Sequence, residues 1–143
     1  MRWFAAHIVM VVELKETEQD HFPAWENIIL LEAASEAEAF RKAEELGRDD
    51  EGDDDGTFRW GKQAARWVFA GIRKLTECAQ SGDRPEDGDE ITYLEFEFRT
   101  RNDVKRFVSG KPAPALINER YRTIEASESE SGKKTGTSKR KRV

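Results

Sequence analysis

Six carboxylates crowd into residues 48–56, the densest group of chemically active side chains in the 143-residue sequence. Carboxylate oxygens bind Ca²⁺ and Mg²⁺, so an EF-hand is the first site to test. Placing Gly56 at the sixth position of an EF-hand loop puts Lys62 at the twelfth, where the site needs a bidentate glutamate. The sequence therefore excludes an EF-hand and leaves a solvated loop without a ligand, a weak hard-ion site, or recognition of a basic partner. The carboxylates of the weak site are Asp50, Asp53 and Asp55.

Large aromatic side chains follow the acidic residues directly. Phe58 and Trp60 flank Arg59, and such a mixture of aromatic rings with a cation is typical of the anchors of protein interfaces. Trp60 precedes Gly61 and is a candidate exposed anchor, with ordinary core packing as the alternative, whereas Trp67 is expected in the core. The expected partner is a basic protein surface, contacted through residues 49–60. The candidate binding residues are Asp50, Asp53, Asp54, Asp55, Phe58, Arg59 and Trp60.

Two histidines and one cysteine are the remaining candidates for catalysis. A general base needs a partner to orient it, and neither His7 nor His21 has one nearby in sequence. The apolar strand pattern around His7 favours a buried structural role, and Cys78 is expected to be an inert packed thiol. The sequence contains no P-loop, dinucleotide-binding, nucleophile-elbow or zinc-protease motif. We therefore expect no catalytic residue, no cofactor and no metal ligand, with a small metal-dependent enzyme using the loop carboxylates and His7 as the alternative.

Charge divides the chain into two regions of opposite sign. The net charge is −5, yet residues 127–143 carry six basic and two acidic groups, a net of +4 that leaves −9 for residues 1–126. An acidic body repels nucleic acid and anionic membranes, whereas the basic end attracts them. The adjacent cations of that end are Lys139, Arg140, Lys141 and Arg142. A solubilising end is the favoured interpretation, with weak, nonspecific contact of these residues with nucleic acid as the alternative.

The cysteine count and the start of the chain bear on the compartment. A single cysteine excludes an internal disulfide and fits a reducing compartment. Residues 1–12 resemble a short signal peptide in their basic start and apolar run, but they lack a small-residue cleavage site. No segment approaches the ~20 apolar residues that span a bilayer. We expect a cytoplasmic protein without a membrane partner, and the sequence does not indicate its oligomeric state.

Runs of β-branched and aromatic residues predict four strands. Residues 3–15 and 25–32 are close enough in sequence to pair as an antiparallel hairpin. Residues 66–79 form a third apolar run, although Gly71 weakens the strand pattern and leaves a helix as the alternative. Residues 91–99 alternate between apolar and charged side chains, which predicts a strand with one solvent-facing side.

Capping residues predict two helices. Ser35 and Glu38 have the spacing of a capping box, so the main helix is expected over residues 35–46 with Gly47 as its left-handed cap. A short second helix is expected over residues 102–108. The apolar stripe of the main helix is Ala37, Phe40, Ala43 and Leu46.

Several strings of residues, taken in order, resemble one known family. They are MRWFAAH at 1–7, WENI at 25–28, DEGDDDG at 50–56, FRWG at 58–61 and WVFAGIRK at 67–74. Over roughly residues 1–108 the chain resembles domain-of-unknown-function family 4288, a family of short bacterial proteins. The resemblance implies a bacterial-type stand-alone domain whose polar loop belongs to the family pattern, and it implies no activity. The basic tail is not part of that pattern, so its interpretation rests on composition.

Together these patterns predict an α+β protein with a small antiparallel sheet of about four strands in the order β-β-α-β-β, the main helix lying on one face. Residues 1–126 are expected to form one compact domain, with a short strand near residues 116–121, and residues 127–143 a disordered tail. The expected function is non-catalytic binding or regulation through the acidic-aromatic loop, residues 49–60. An immunity-like or inhibitor-like protein is one particular form of this function. The alternatives are the metal-dependent enzyme and a nucleic-acid accessory protein acting through the tail.

Overall fold

A computed structural model describes residues 1–121 and 139–142, with side chains described through residue 117. The chain divides into two compact units, Met1–Thr92 and Tyr93–Val143, which we call unit 1 and unit 2 and describe separately. The elements of unit 1 are β1 (Arg2–Leu14), β2 (Ala24–Ala33), α1 (Glu36–Asp49), β3 (Arg59–Trp60) and β4 (Gln63–Glu77).

The four strands of unit 1 form one antiparallel sheet in the order β2-β1-β4-β3, and α1 packs against one of its faces. This arrangement confirms the predicted α+β class and the β-β-α-β-β order of elements. The fourth strand, however, is a different segment from the one predicted. A tight turn at Gly61, whose φ is 62°, lets Trp60 pair with Gln63, so β3 forms within the aromatic segment that follows the acidic residues.

Residues on both faces of β1, one of the two inner strands, are buried. On the reverse face, away from α1, Ala5 and His7 are fully buried. A strand covered on both faces is a near-continuous apolar run in sequence, as residues 3–12 are. The β1 residues that pack with α1 are Phe4, Ala6, Ile8 and Met10, none more than 3% exposed.

Two irregularities in β4 change which of its side chains share a face. The pairing of β4 with β1 skips Arg73 and Ala70. Because each skipped residue reverses the alternation, Ile72 packs against the same core as Phe69, although strict alternation assigns it to the opposite face. Gly71 lies between the two skipped positions with φ 146°, a backbone conformation that favours glycine.

Helix α1 begins at the predicted cap. The Ser35 hydroxyl oxygen accepts a hydrogen bond from the backbone N–H of Glu38 at 3.1 Å. The Glu38 carboxylate accepts in turn from the backbone N–H of Ala34 at 2.9 Å. The first bond satisfies an N–H group that a helix start leaves without an intrahelical partner, and the second ties the residue before the cap to the first turn, so this boundary is determined locally.

The other end of α1 differs from the prediction. Gly47 is not a left-handed cap but lies inside the helix, which continues to Asp49 with Asp50 as its C-cap. A Cβ atom on Gly47 would stand 2.4 Å from the ring of Phe69, so glycine here permits a close approach between α1 and β4. The helix buries a different stripe from the one predicted, and the predicted stripe residue Leu46 is exposed. The buried helix residues are Ala39, Ala43 and Gly47.

Unit 2 contains a three-stranded antiparallel sheet and a short helix. Its elements are β5 (Phe96–Glu97), α2 (Arg101–Val108), β6 (Leu116–Tyr121) and β7 (Lys139–Arg142), with the strand order β5-β6-β7. The predicted second helix and the strand near residues 116–121 are therefore present. Thr100 caps α2 by accepting from the backbone N–H of Asp103 at 3.0 Å. The ring of Phe107 packs 5.0 Å from Phe96 and 5.2 Å from Phe98.

Two predictions for this part of the chain have different outcomes. The strand predicted over residues 91–99 is reduced to β5, because an alternating pattern indicates which face a strand would bury but provides no partner strand. Of the predicted tail, Lys139–Arg142 form β7, unlike the disorder that composition predicts for them, while residues 127–138 and 143 lie outside the described residues. The single domain over residues 1–126 stays a prediction.

Candidate functional site

Three tryptophans meet on the helix-facing side of the unit 1 sheet. Trp25 lies opposite Met10 and Trp67 opposite Val12 in the register of β1 with its neighbours, so both rings share the face of Met10. Their ring centroids are 5.1 Å apart with an interplanar angle of 83°. Trp60 of β3 lies 5.5 Å from Trp25 at 86°. These edge-to-face contacts are the geometry that aromatic pairs prefer.

This aromatic cluster is only partly buried. Phe58 stacks on Trp67 at 5.1 Å with nearly parallel rings, whereas Trp25 and Trp60 each remain 42% exposed. A cleft of about 350 Å³ opens beside the cluster, and we call it the aromatic lobe. Its lining residues are Met10, Trp25, Asn27, Asp50 and Trp67.

Residues 49–55, which we call the acidic segment, are attached to β4, which corrects the prediction of a wholly solvated loop. Gly52 and Trp67 exchange both backbone hydrogen bonds, at 2.8 and 3.0 Å. Next to this bridge, the Glu51 carboxylate accepts from the backbone N–H of Phe69 at 3.0 Å. Gly52 has φ 96°, so a glycine is favoured at the position where the chain joins the strand.

Asp53 organises the remainder of the acidic segment. Its carboxylate is only 6% exposed and accepts from the Lys15 ammonium at 2.9 Å. It also accepts from the backbone N–H groups of Thr57 and Phe58, at 3.2 and 3.1 Å. The bond from Lys15, with support from the Phe58 and Thr57 N–H groups, lowers the pKa of Asp53 below its ordinary value. This carboxylate is therefore a structural anchor, while Asp54 and Asp55 remain exposed.

A second cleft, of about 430 Å³, lies at this segment, and we call it the acidic lobe. It shares Asp50 and Trp67 with the aromatic lobe. Helix α1 ends at Asp49, so its last carbonyl groups add partial negative charge at this position. Among the described residues that line the two lobes, none is basic. The lining residues of the acidic lobe are Asp49, Asp50, Glu51, Gly52, Asp53, Asp54, Asp55, Thr57, Phe58 and Trp67.

The structure brings most of the predicted binding residues to these clefts. Five of them line the acidic lobe: Asp50, Asp53, Asp54, Asp55 and Phe58. Trp60 joins the aromatic cluster, and Arg59 donates to the backbone carbonyl of Lys62 at 3.4 Å. Sequence reasoning missed Trp25 and Asn27, because only the pairing of β2 with β1 brings them near the acidic segment. The available signal was a large aromatic residue within a predicted strand.

His7 belongs to a polar cluster on the reverse face of the sheet. Its Nε2 lies 2.7 Å from the hydroxyl oxygen of Thr92, and its Nδ1 lies 3.5 Å from a carboxylate oxygen of Glu26. Because an ionised carboxylate only accepts, we assign the ring proton to Nδ1, which leaves Nε2 to accept from Thr92. Burial lowers the pKa of His7, and Lys74 and Arg73 lower it further, while Glu26 opposes them.

The order hydroxyl, imidazole and carboxylate in this cluster resembles that of nucleophilic enzymes. Two observations favour a structural role instead. The His7 ring is fully buried, so a substrate does not reach its Nε2. The distance from Nδ1 to Glu26 exceeds a good hydrogen bond, and the same Glu26 oxygen is held by Arg73. The structural role predicted for His7 therefore agrees with its surroundings.

Metal-binding geometry is absent from the part of the chain that the structure describes. No three His, Cys, Asp or Glu side chains there lie close enough together to hold an ion. Asp53 is occupied by Lys15, so it is not available as a ligand in the arrangement described. Cys78 is buried as predicted, and burial, with the nearby Glu77 carboxylate, raises the pKa of its thiol. For the four cations of Lys139–Arg142 only the backbone is described, so their contact with nucleic acid stays a prediction.

Unit 1 is thus an α+β domain whose sheet carries a helix over one end of a face and two joined clefts at the other. A family model for a domain of unknown function, DUF4288, matches residues 3–92. The match covers more than half of the chain, so the protein belongs to this family, and both lobes lie within the matched residues. No curated protein and no solved structure matches the chain. Neither helix of the described residues has the length and apolar content that crossing a membrane requires.

Proposed function

We propose that this protein is a non-catalytic binding module whose acidic-aromatic surface receives a basic segment of a partner protein. The acidic-aromatic surface consists of residues 49–60 together with Trp25 and Trp67. The observation that carries the proposal is the junction of the two lobes at Asp50 and Trp67. One extended segment that crosses this junction contacts aromatic rings and carboxylates at the same time.

The exposed aromatic rings support a binding role. Trp25 and Trp60 keep a large part of their apolar surface in water, although burying them would stabilise the fold. Apolar patches with polar rims mark interaction surfaces, and tryptophan is enriched among the interface residues that contribute most to affinity. The two rings therefore have the properties of anchors for a partner.

The charge of this surface indicates the charge that its partner should carry. Residues 1–126 carry a net charge of −9, and the acidic segment concentrates part of it beside the end of α1. Complementary charge speeds association and excludes partners of the same sign. A basic segment should associate faster with this acidic surface, whereas a phosphate-bearing ligand should be repelled. Exposed charges are screened over about 8 Å at physiological ionic strength, so the binding should weaken as salt increases.

One form of this proposal is an immunity-like or inhibitor-like protein. In that form the carboxylates imitate a phosphate backbone and occupy the cationic site of a nuclease or a similar enzyme. The adjacent exposed pair Asp54 and Asp55 supplies two of the charges. The general proposal does not depend on this form.

Titration calorimetry with a defined peptide tests the proposal. The probe is a nine-residue peptide with alternating basic and small residues, and its control replaces each basic residue with glutamine. We expect the basic peptide to bind and the glutamine peptide not to bind, with affinity falling as sodium chloride is raised. Absence of binding by the basic peptide at millimolar concentration and low salt contradicts the proposal.

Paired variants locate the binding surface. Replacing Asp54 and Asp55 together with asparagine removes two charges from the acidic lobe and should weaken binding about twofold to thirtyfold, since exposed charge pairs contribute about 0.2–1 kcal/mol each. Replacing Glu16 and Glu18 with glutamine makes the same change in net charge at exposed positions that line neither lobe. Equal effects of the two double variants would show that binding follows net charge and not this surface.

A further inference from the structure

The aromatic lobe and the acidic lobe differ in the chemistry of their linings. Trp25 and Trp67 form two walls of the aromatic lobe at nearly a right angle, and Met10, which is almost fully buried, lies at its base. Among the described residues that line it, an amide and a carboxylate are supplied by Asn27 and Asp50. The acidic lobe, in contrast, is lined mostly by carboxylates. Charge alone attracts a cation to the acidic lobe, whereas the aromatic lobe adds requirements of shape and polarity.

The size of the aromatic lobe limits its occupant. A volume of about 350 Å³ lies at the lower end of the range for small-ligand pockets, roughly 300–1,000 Å³. This space admits one long side chain of a partner and not a folded element. The junction with the acidic lobe leaves room for the rest of an extended segment.

The lining selects a cation with a flat, weakly hydrated head group. The faces of indole rings attract cations, and tryptophan does so most strongly among the aromatic residues. Asp50 accepts hydrogen bonds, as does the side-chain carbonyl of Asn27, so the polar groups favour a donor with several N–H groups. A guanidinium stacks on an aromatic ring and donates in its own plane, whereas an ammonium is a compact, strongly hydrated point charge.

We propose that the aromatic lobe binds the side chain of one arginine of the partner segment, in the corner where the Trp25 and Trp67 rings meet, with Asp50 as its counter-ion. This inference rests on the proposed function, because it names the residue type that a basic partner places in one of the two lobes. The acidic lobe accepts either arginine or lysine, since exposed carboxylates distinguish poorly between them.

Two peptides of equal charge separate this inference from the proposed function. Both have the nine-residue alternating design, one with arginine and one with lysine at every basic position. With the wild-type protein we expect the arginine peptide to bind about tenfold more tightly by calorimetry, since cation-π and planar hydrogen-bonding contributions add in the aromatic lobe. Equal affinities would overturn the arginine inference and leave the proposed function in place. Failure of both peptides to bind would overturn both.

Matched variants assign the preference to the aromatic lobe. Asp50→Asn and Trp25→Leu should reduce the ratio of arginine to lysine affinity toward one. Their controls are Asp54→Asn, which makes the same charge change in the acidic lobe only, and Trp60→Leu, which removes a ring that does not line the aromatic lobe. Each control should weaken both peptides alike and keep the ratio. A ratio that persists in Asp50→Asn and Trp25→Leu, with circular dichroism showing folded protein, would place the preference elsewhere and refute the inference.

Discussion

The helix-facing side of the unit 1 sheet has two ends that contain similar apolar residues and differ in what covers them. At the covered end, Phe4 and its β1 neighbours pack beneath Ala39 and Ala43 of α1. At the open end, Trp25 and Trp60 remain partly exposed. Hydrophobicity does not explain this difference, because the larger rings are the ones left in water. The position where α1 ends decides which part of the face stays accessible, and it leaves the rings of Trp25 and Trp60 partly exposed.

The largest expected effect compares one aromatic residue from each end. Phe4→Ala should lower the free energy of unfolding by about 3–5 kcal/mol, because it empties a buried ring position. Trp60→Ala should cost about 1–2 kcal/mol, because part of that ring is already in water. Urea denaturation measures both values. A larger loss for Trp60→Ala than for Phe4→Ala would mean that the open end is part of the core.

Gly47 tests why α1 lies so close to the sheet. Alanine is the better helix former by about 1 kcal/mol, yet its Cβ would stand 2.4 Å from the Phe69 ring. We expect Gly47→Ala to destabilise unit 1 by up to about 2 kcal/mol net, since overpacking typically costs about 1–3 kcal/mol and the helix preference returns about 1 kcal/mol. In a double-mutant cycle, Phe69→Leu should recover part of the loss. Additive losses would show that contact with this ring is not the cause.

Asp53 tests whether the open end has a structural anchor of its own. Asp53→Asn keeps an oxygen that accepts from Thr57 and Phe58 but loses the charge that pairs with Lys15, so the melting temperature should fall. Because the folded-state pKa of Asp53 lies below its ordinary 3.8, its contribution is present above that pH and is lost as the pH falls through the lower, folded value. Melting temperatures of wild type and variant should therefore converge in strong acid. A constant gap would contradict the ion pair.

His7 extends the comparison to the reverse face at the covered end. Its pKa is lower in the folded state than the ordinary 6.5, so the unfolded chain binds the proton first as the pH falls. The contribution of His7 to the free energy of unfolding is therefore fully present above pH 6.5. It decreases as the pH falls from 6.5 toward the lower, folded pKa. His7→Gln removes the titration and should reduce the loss of melting temperature between pH 7 and pH 5 relative to wild type. An unchanged pH profile would show that His7 does not titrate in this way.

The smallest effect is expected for the two exposed carboxylates of the acidic lobe. Replacing Asp54 and Asp55 with asparagine should leave the melting temperature unchanged or slightly higher, because it relieves repulsion within the acidic segment. Differential scanning calorimetry checks this against Asp53→Asn. A fall as large as that of Asp53→Asn would mean that all three carboxylates support the fold, which would remove the distinction between anchor and binding surface.

Local signals in the sequence were sufficient for several elements. The start of α1 follows from Ser35 and Glu38, whose side chains satisfy backbone groups within four residues. The hairpin of β1 and β2 follows from two adjacent apolar runs, and the buried role of His7 follows from the run that contains it. The acidic segment was recognisable as a candidate surface from its composition. In each case the sequence signal lies within a short stretch of chain.

Tertiary structure alone decided the features that depend on distant residues. The pairing of β2 and β4 with β1 brings Trp25 and Trp67 together, and two irregularities in β4 determine which of its side chains share that face. The sequence predicts Gly47 to be a helix cap, whereas in the structure it is the position where α1 contacts Phe69. The sequence predicts Asp53 to be a solvated charge, whereas in the structure it bonds with Lys15, which follows the end of β1. Register and close approach depend on contacts between segments far apart in the chain, and no local pattern of residue types specifies them.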